Sequence, residues 1–198
     1  AKSSLIPEIF EVTIDSLSYF GGRGVGRYNG VVVFVPDAAP GDLLRVKVTA
    51  HKPRFVEAQI VEVLKESPNR RKPPCPVALK CGGCSWQHIN YETQVAAKEK
   101  ILRDNLRNLQ KRSSIEVLPL VPAPQEFHYR NRIQIQVRGN QYGFFASRTR
   151  DLVPIQSCWI AEPALNQAMA AYANSSAKQP QRIELSVDSA GHVTVVEG

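Results

Sequence analysis

The stretch EIFEVTIDSL, residues 8 to 17, decides the expected fold of the first part of the chain. Its apolar residues Phe10, Val12 and Ile14 alternate with other residues, which is the period of a half-buried β-strand. The segments GVVVFV, DLLRVKVTA and RFVEAQIVEVL follow, each set off by Gly, Pro, Asp or Asn. Four or five short strands are too few for a large sandwich, but they can close into a small barrel of the OB type. We therefore predict such a barrel over residues 1–65.

The rest of the chain is predicted to add helices and a second antiparallel β region. ESPNRRKPPCP, residues 66–76, carries four prolines and no periodicity, so we assign residues 66–90 to a linker and a cysteine-rich loop. A helix is predicted to begin after Asn90, a residue type suited to an N-cap, and to run to about Lys111. Further on, RNRIQIQVRG alternates as a strand does. Residues 91–198 are therefore assigned to a central domain of helix plus antiparallel sheet, and the expected fold class is α+β, mainly β.

Charge and hydropathy narrow the class of protein. The chain has 25 Lys and Arg against 18 Asp and Glu, a net charge of +7, and residues 159–198 are slightly acidic. A basic body suits a polyanion such as nucleic acid, although an ordinary solvated surface explains the charge equally well. No apolar run is long enough to span a membrane, and the first residues lack the pattern of a signal peptide. We expect a cytoplasmic protein, a monomer, with no membrane partner.

Three of the four cysteines lie in CPVALKCGGC, and 73 residues separate the third cysteine from the fourth. In a cytosolic chain of this size clustered thiols are more often metal ligands than disulfides, so we predict a metal site formed by Cys75, Cys81, Cys84 and Cys158. Four thiolates suit either tetrahedral zinc or an iron–sulfur cluster. Zinc sites usually show two matched C-x2-C pairs, and this chain has one pair and a distant ligand, which favours the cluster. The spacing also differs from that of radical enzymes that bind S-adenosylmethionine at an open iron.

Two basic stretches are candidates for phosphate contacts. GGRGVGRYNG, residues 21–30, has glycines like those of a phosphate loop, but a strand pattern rather than a helix follows, so tight turns explain the glycines better. Flexible glycine loops let a backbone approach RNA closely, and on that ground Arg23 and Arg27 are predicted to touch phosphates. The extended linker leaves Arg70, Arg71 and Lys72 free to meet solvent or phosphate.

The order of motifs resembles that of one enzyme family. The first motif in this order is FGGRGVGRYNGVVVFVPDAAPGD. After it come PPCPVALKCGGCSWQH, a basic helix, YRNR, GFFASRTRDLVPIQSC and LNQ. This order resembles the front portion of the 23S ribosomal RNA uracil-5 methyltransferases that carry a TRAM domain and an iron–sulfur cluster. CGGCSWQH with the distant IQSC is the most specific part of the match.

The resemblance implies roles by position. It implies that the first 65 residues are a TRAM domain that binds RNA, and that the four cysteines ligate a [4Fe–4S] cluster which staples the helix-bearing segment to the later sheet. It places Tyr129, Arg130, Asn131 and Arg132 facing RNA, where arginine can pair with phosphate and tyrosine can stack. Phe144 and Phe145 are adjacent, so in a strand one faces the core; Phe145 is predicted to stack on a base.

The family's chemistry belongs to a C-terminal S-adenosylmethionine domain of Rossmann type, and nothing in this chain matches that domain. In the family a cysteine adds to a flipped uracil and the adduct takes the methyl group. We predict no catalytic residue and no S-adenosylmethionine site here, and expect the chain alone to be inactive. The hypothesis is the RNA-binding front of such an enzyme. The alternative is a stand-alone RNA-binding module with a structural four-cysteine metal site; a tRNA methylthiotransferase is disfavoured, because those enzymes carry TRAM at the other end.

Overall fold

A computed structural model of the chain describes residues 6–110, 116–139, 141–173 and 181–197. Ten strands and two helices lie within these ranges. The predicted end of the first helix, at Lys111, lies outside the described residues. No helix in the described ranges combines the length and apolar character needed to cross a membrane.

The first five strands form a closed barrel. They are β1 (Ile9–Leu17), β2 (Gly24–Tyr28), β3 (Val31–Val35), β4 (Leu43–His51) and β5 (Phe55–Lys65). Their order around the barrel is β1-β2-β3-β5-β4, with β3 and β5 parallel and the other neighbouring pairs antiparallel. The predicted OB-type barrel is confirmed.

The alternation of the opening stretch is what fills this barrel. Phe10, Val12 and Ile14 are buried, and they pack in a core with residues of the same kind from the other strands. Each fully buried aliphatic or aromatic side chain contributes roughly 1.5–3 kcal/mol. The other members of this core are Ile6, Val31, Val33, Val35, Ala38, Leu44, Val46, Val56 and Ala58.

The glycine-rich segment is a loop and a strand, as the turn interpretation predicted. Gly21 and Gly22 have φ of 69° and 62°, which side chains with a Cβ rarely adopt. Gly26 lies in β2, where a Cβ would sit 2.4 Å from the carbonyl oxygen of Thr13. Glycine at that position therefore lets β2 lie close against β1.

Helix α1 (Tyr91–Gln110) follows the predicted cap. The Asn90 Oδ1 accepts a hydrogen bond from the backbone N–H of Thr93 at 2.8 Å, which confirms the N-cap. The solvent-facing cations of α1 pair with acids one turn away, as in Lys100–Asp104 and Arg103–Glu99. This pattern agrees with a solvated helix face.

The second β region is a five-stranded sheet in the order β10-β9-β6-β7-β8. Its strands are β6 (Arg132–Arg138), β7 (Gln141–Phe145), β8 (Leu152–Pro154), β9 (Gln181–Val187) and β10 (Val193–Glu197). Helix α2 (Pro163–Ala173) packs on this sheet through Leu165 and Met169, both fully buried. The mainly β, α+β class is confirmed.

Contacts group the chain into two compact units. One contains residues 1–73 and 85–122, and the other contains residues 74–84 and 123–198. Helix α1 therefore belongs with the barrel, where Leu17, Ala39 and Ile89 form a small core that Ala97 of the helix contacts. The sequence-based division placed α1 with the second sheet, because local patterns do not show which distant segment a helix covers.

Candidate metal centre and candidate RNA-binding residues

The first three cysteines lie on a compact segment beside the second sheet. Backbone N–H groups of Lys80 and Cys81 donate to the carbonyl of Val77, at 2.9 and 2.8 Å, so the chain makes one tight turn between Cys75 and Cys81. Beyond that turn, Cys81 forms a β-bridge with Ala146. The cysteine segment is thereby attached to the strand end at β7.

The two glycines of CGGC have different roles. Neither has the positive φ that would favour glycine, so backbone angle is not the reason for either residue. The Gly82 N–H donates to the Phe145 carbonyl at 2.9 Å, and a Cβ on Gly82 would lie 2.9 Å from that same oxygen. A Cβ on Gly83 would meet only the Cys81 Sγ at 3.5 Å, an ordinary contact. Close approach to β7 therefore requires glycine at 82 alone.

Cys158 is positioned by helix α2. The Asn166 side chain accepts from the Cys158 N–H at 2.7 Å and donates to the Cys158 carbonyl at 3.1 Å. The cysteine also packs against the core of the second sheet. Asn166 received no role in the sequence analysis, although it stands in the LNQ segment of the family match. A side chain that hydrogen-bonds the backbone of a distant residue in this way has no local sequence signal beyond that match.

The four cysteines belong to the same compact unit. All four are free of disulfides and half-buried. Burial raises the pKa of the Cys81 thiol, the Gly83 N–H lowers it by donating to the Sγ, and nearby Cys84, Cys158 and Cys75 raise it further. The Cys81 thiol thus interacts electrostatically with the other three cysteines. In number and chemistry, the four thiols fit a four-thiolate centre. Among the described residues, however, no three Cys, His, Asp or Glu side chains are grouped closely enough to hold a metal ion.

A groove of about 320 Å³ opens beside this segment. Phe144 packs against the core of the sheet and Phe145 does not, which agrees with the predicted split between the two rings. The Arg138 guanidinium lies over the Phe145 ring, 5.7 Å from its centroid. The lining residues are Gly82, Gly83, Phe144, Phe145, Ala146, Ser147 and Arg148.

The segment before β6 is exposed. Tyr129 has 55% of its surface exposed, and Arg130 and Asn131 are also exposed. Backbone hydrogen bonds fix this segment, since Arg130 bonds with Ile160 and Glu162 and the Asn131 carbonyl accepts from Val187. Arg132 is exposed and forms an ion pair with Glu184. Arg130 is thus held by its own backbone, and Tyr129 lies between two residues, His128 and Arg130, whose backbone N–H groups donate to Trp159 and Ile160.

The linker arginines differ from the sequence expectation. Arg70 was predicted to be free for phosphate, but its side chain is only 17% exposed and forms an ion pair with the fully buried Asp42. The Arg71 Nε donates to the Gln87 carbonyl at 3.0 Å. Only Lys72 of the three is exposed. Arg70 is therefore engaged within the barrel unit and is not free to meet phosphate.

Arg23 is also engaged by neighbouring side chains. It is 7% exposed, it forms an ion pair with Glu57 at 2.8 Å, and its guanidinium stacks 4.7 Å from the centroid of the Phe34 ring. Its Nε is buried without a hydrogen-bond partner in the described part of the chain. The Arg23 guanidinium is therefore not free to meet phosphate. Arg27 lies on the outer face of β2 and is exposed.

Comparison with known proteins agrees with the barrel. Residues 5–61 match the TRAM domain family. They are a TRAM domain. Over 197 residues, 98% of its length, the chain is 39% identical to an uncharacterized RNA methyltransferase of Bdellovibrio bacteriovorus and spans 50% of that protein. An uncharacterized RNA methyltransferase of Aquifex aeolicus is 38% identical over 79% of the chain, which spans 37% of it. The chain is homologous to RNA methyltransferases and covers half or less of these relatives.

A solved structure shares the fold. The Pyrococcus abyssi tRNA (uracil-54, C5)-methyltransferase, in complex with S-adenosyl-L-homocysteine, aligns with 94% of this chain and 45% of its own, at a TM-score of 0.65. The two sequences are 24% identical, so the likeness concerns the fold.

Proposed function

We propose that this chain is the RNA-binding part of an S-adenosylmethionine-dependent ribosomal RNA uracil-5 methyltransferase. It would position folded RNA for a catalytic Rossmann-type domain that is not among these 198 residues. The observation that carries the proposal is 39% identity to an RNA methyltransferase across 98% of the chain, with a TRAM domain at its start. The choice of uracil and of ribosomal RNA rests on the family resemblance of CGGCSWQH and the distant IQSC.

Within this proposal the chain's own residues bind and orient RNA. Arg27 and Lys72 on the barrel unit would contact phosphates, and Arg130 and Tyr129 on the sheet unit would contact phosphate and base. Phe145 would offer its ring at the groove. Because the backbone N–H groups of His128 and Arg130, on either side of Tyr129, are hydrogen-bonded, little ordering of this segment would be needed on binding.

The four cysteines would hold a [4Fe–4S] cluster. Cys75, Cys81 and Cys84 would supply three ligands from the segment beside β7, and Cys158, clamped by Asn166, would supply the fourth. A cluster ligated by four protein thiolates supplies structural cross-linking or electron transfer rather than a place for substrate. Its role here would be to fix the cysteine segment, and with it the groove next to Gly82.

RNA affinity tests this proposal. We would titrate the protein into labelled transcripts that tile 23S ribosomal RNA, at several salt concentrations, and follow fluorescence anisotropy. Affinity should fall steeply with salt, with a log–log slope of roughly −0.7 to −0.9 for each phosphate neutralised. Arg130→Glu should weaken binding and make that slope shallower by about 1 or more.

Lys98→Glu is the matched control for Arg130→Glu, because it makes the same charge change on the exposed face of α1. It should change affinity much less than Arg130→Glu does. Equal losses in the two variants would mean that only net charge matters. Binding that does not depend on salt, or no binding, would contradict the proposed function.

A further inference from the structure

The loop between β1 and β2, residues 18–23, is fixed at several points. The Ser18 N–H donates to the Arg23 carbonyl at 2.8 Å, and the Ser18 Oγ donates to the Phe20 carbonyl at 3.0 Å. The Trp86 Nε1 donates to the Gly22 carbonyl at 2.7 Å, and a Cβ on Gly22 would lie 2.5 Å from that nitrogen. The loop is therefore anchored to the body of its own unit.

This anchored loop displays two aromatic side chains to solvent. Tyr19 is 78% exposed and Phe20 is 74% exposed. Holding adjacent aromatic rings in water contributes little to folding, because the apolar area is not removed from solvent. Exposed aromatic side chains on a fixed backbone are the arrangement by which proteins stack on unpaired bases.

The rings continue along the outer face of the barrel. The Arg23 guanidinium lies 5.9 Å from the centroid of the Phe20 ring and 4.7 Å from that of Phe34, which makes an edge contact with Phe55 at 5.1 Å. Arg23 is held there by Glu57, although its Nε lacks a hydrogen-bond partner. We call Tyr19, Phe20, Phe34 and Phe55 the aromatic strip.

Charge around the aromatic strip favours a polyanion. Arg27 on β2, and Lys52 and Arg54 in the loop between β4 and β5, are exposed. One acid on this face, Glu57, is paired with Arg23, and Asp15 on the neighbouring strand β1 is exposed. In barrels of this type the face of strands 2 and 3, with the β1–β2 and β4–β5 loops, is where oligonucleotides bind.

We propose that the aromatic strip is a stacking platform for unpaired RNA bases, with Arg27, Lys52 and Arg54 holding the adjoining phosphates. The inference rests on the proposed function and narrows its substrate to RNA with a single-stranded or loop segment. Bases in an A-form duplex are stacked on each other and do not offer their faces to a protein ring. The aromatic strip therefore selects unpaired RNA over duplex.

The test compares two labelled probes with the full 198-residue chain, by fluorescence anisotropy. One probe is an oligouridine of about 12 nucleotides and the other is an RNA duplex of the same length. The chain should bind oligouridine at least about tenfold more tightly than duplex. The double variant Tyr19→Ala/Phe20→Ala should lose at least about tenfold of the oligouridine affinity, with an unchanged salt slope, because no phosphate contact is removed.

Three variants serve as controls. Tyr19→Phe keeps a ring and should bind within about twofold of the original chain. Val61→Ala shortens an apolar side chain that is 53% exposed on β5, away from the aromatic strip, and should bind unchanged. Lys52→Gln/Arg54→Gln should reduce both affinity and the salt slope. Since Tyr19 and Phe20 are exposed, their replacement leaves the barrel core intact.

The outcomes separate this inference from the proposed function. Salt-dependent RNA binding that the Tyr19→Ala/Phe20→Ala variant leaves unchanged would overturn the inference and leave the proposed function standing. Preference for the duplex would do the same. Unchanged RNA affinity combined with a shift in oligomeric state by light scattering would assign the aromatic strip to protein contacts. No binding to either probe, or to the ribosomal transcripts, would overturn both.

Discussion

At the scale of single residues, Asp42 organises one end of the barrel unit. Its carboxylate is fully buried and accepts hydrogen bonds from the N–H groups of Ala39 and Ser67 and from the Arg70 guanidinium. Arg70 also donates to the Asp37 carbonyl at 2.9 Å. Such a charge is stable inside a protein only when it is paired and hydrogen-bonded. The arginine that the sequence offered as an RNA contact is the counter-ion of this carboxylate.

The first prediction follows from that pairing. Arg70→Ala leaves a buried carboxylate without its counter-ion, so the free energy of unfolding should fall by about 3–5 kcal/mol. The exposed neighbour supplies the control: Lys72→Ala should change it by less than about 0.5 kcal/mol. Urea unfolding followed by circular dichroism measures both. Similar small changes in the two variants would show that Arg70 does not stabilise the barrel.

The second prediction concerns pH. His88 is buried and its Nε2 contacts the Ala38 carbonyl at 3.3 Å. Burial lowers the pKa of His88 below its ordinary value of 6.5, the contact with the Ala38 carbonyl opposes this, and Arg70 lowers the pKa further. The unfolded chain therefore binds this proton more readily than the folded chain does. The stabilisation by neutral His88 is complete above pH 6.5 and is lost as pH falls below 6.5 toward the folded-state pKa.

Urea unfolding between about pH 5 and 7.5 measures this effect, with a slope of at most about 1.4 kcal/mol per pH unit for one proton. His88→Gln keeps a side-chain N–H but does not titrate, so its stability should depend less on pH across the same range. The comparison of slopes removes the contribution of other titrating groups, which both proteins share. Parallel slopes in the two proteins would contradict the account of His88.

At the scale of elements, the CGGC turn and the end of β7 depend on each other. Gly82 lies against the Phe145 carbonyl and the backbone of Ser147, whereas Gly83 has only an ordinary contact with Cys81. Gly82→Ala should push the turn away from β7 and reduce the iron bound per chain after anaerobic purification. Gly83→Ala should keep the iron content of the original chain. Equal iron content in both variants would show that the β7 contact does not position the cysteines.

Much of the element structure could be predicted from local pattern. Alternation marked β1 and β6, and the cap at Asn90 marked the start of α1. The ion pairs of Arg23 and Arg70 could not be predicted, because their acidic partners Glu57 and Asp42 lie 34 and 28 residues away. An arginine next to glycine or proline is expected to be exposed when only the sequence is known. Whether its side chain is exposed depends on ion pairs with residues that are distant in sequence.

The attachment of segments also lay beyond local pattern. The periodicity of α1 predicts an apolar face but not what covers it, and that face lies on the barrel unit. The cysteine segment contacts the second sheet through the β-bridge between Cys81 and Ala146, two residues that are far apart in sequence. Cys158 could be singled out as a ligand by residue type alone. Its clamp by Asn166 needed the fold.

At the scale of the whole molecule, the proposed RNA partner rests on the TRAM domain, and the net charge suits it. The chain carries a net charge of +7, its residues 5–61 match the TRAM domain family, and it is homologous to RNA methyltransferases. RNA binding alone, however, would be expected both of a methyltransferase part and of a stand-alone module. The identity of the metal separates these two, because the family resemblance implies an iron–sulfur cluster and a stand-alone module fits zinc as well.

The most direct measurement is therefore iron, sulfide and zinc per chain after anaerobic purification, with an absorption spectrum. The account predicts about four irons and four sulfides per chain. Cys158→Ala should lose them, and Ser157→Ala, which changes the exposed neighbour, should keep them. One zinc per chain without iron would contradict the account and leave a zinc-binding, TRAM-containing module in its place.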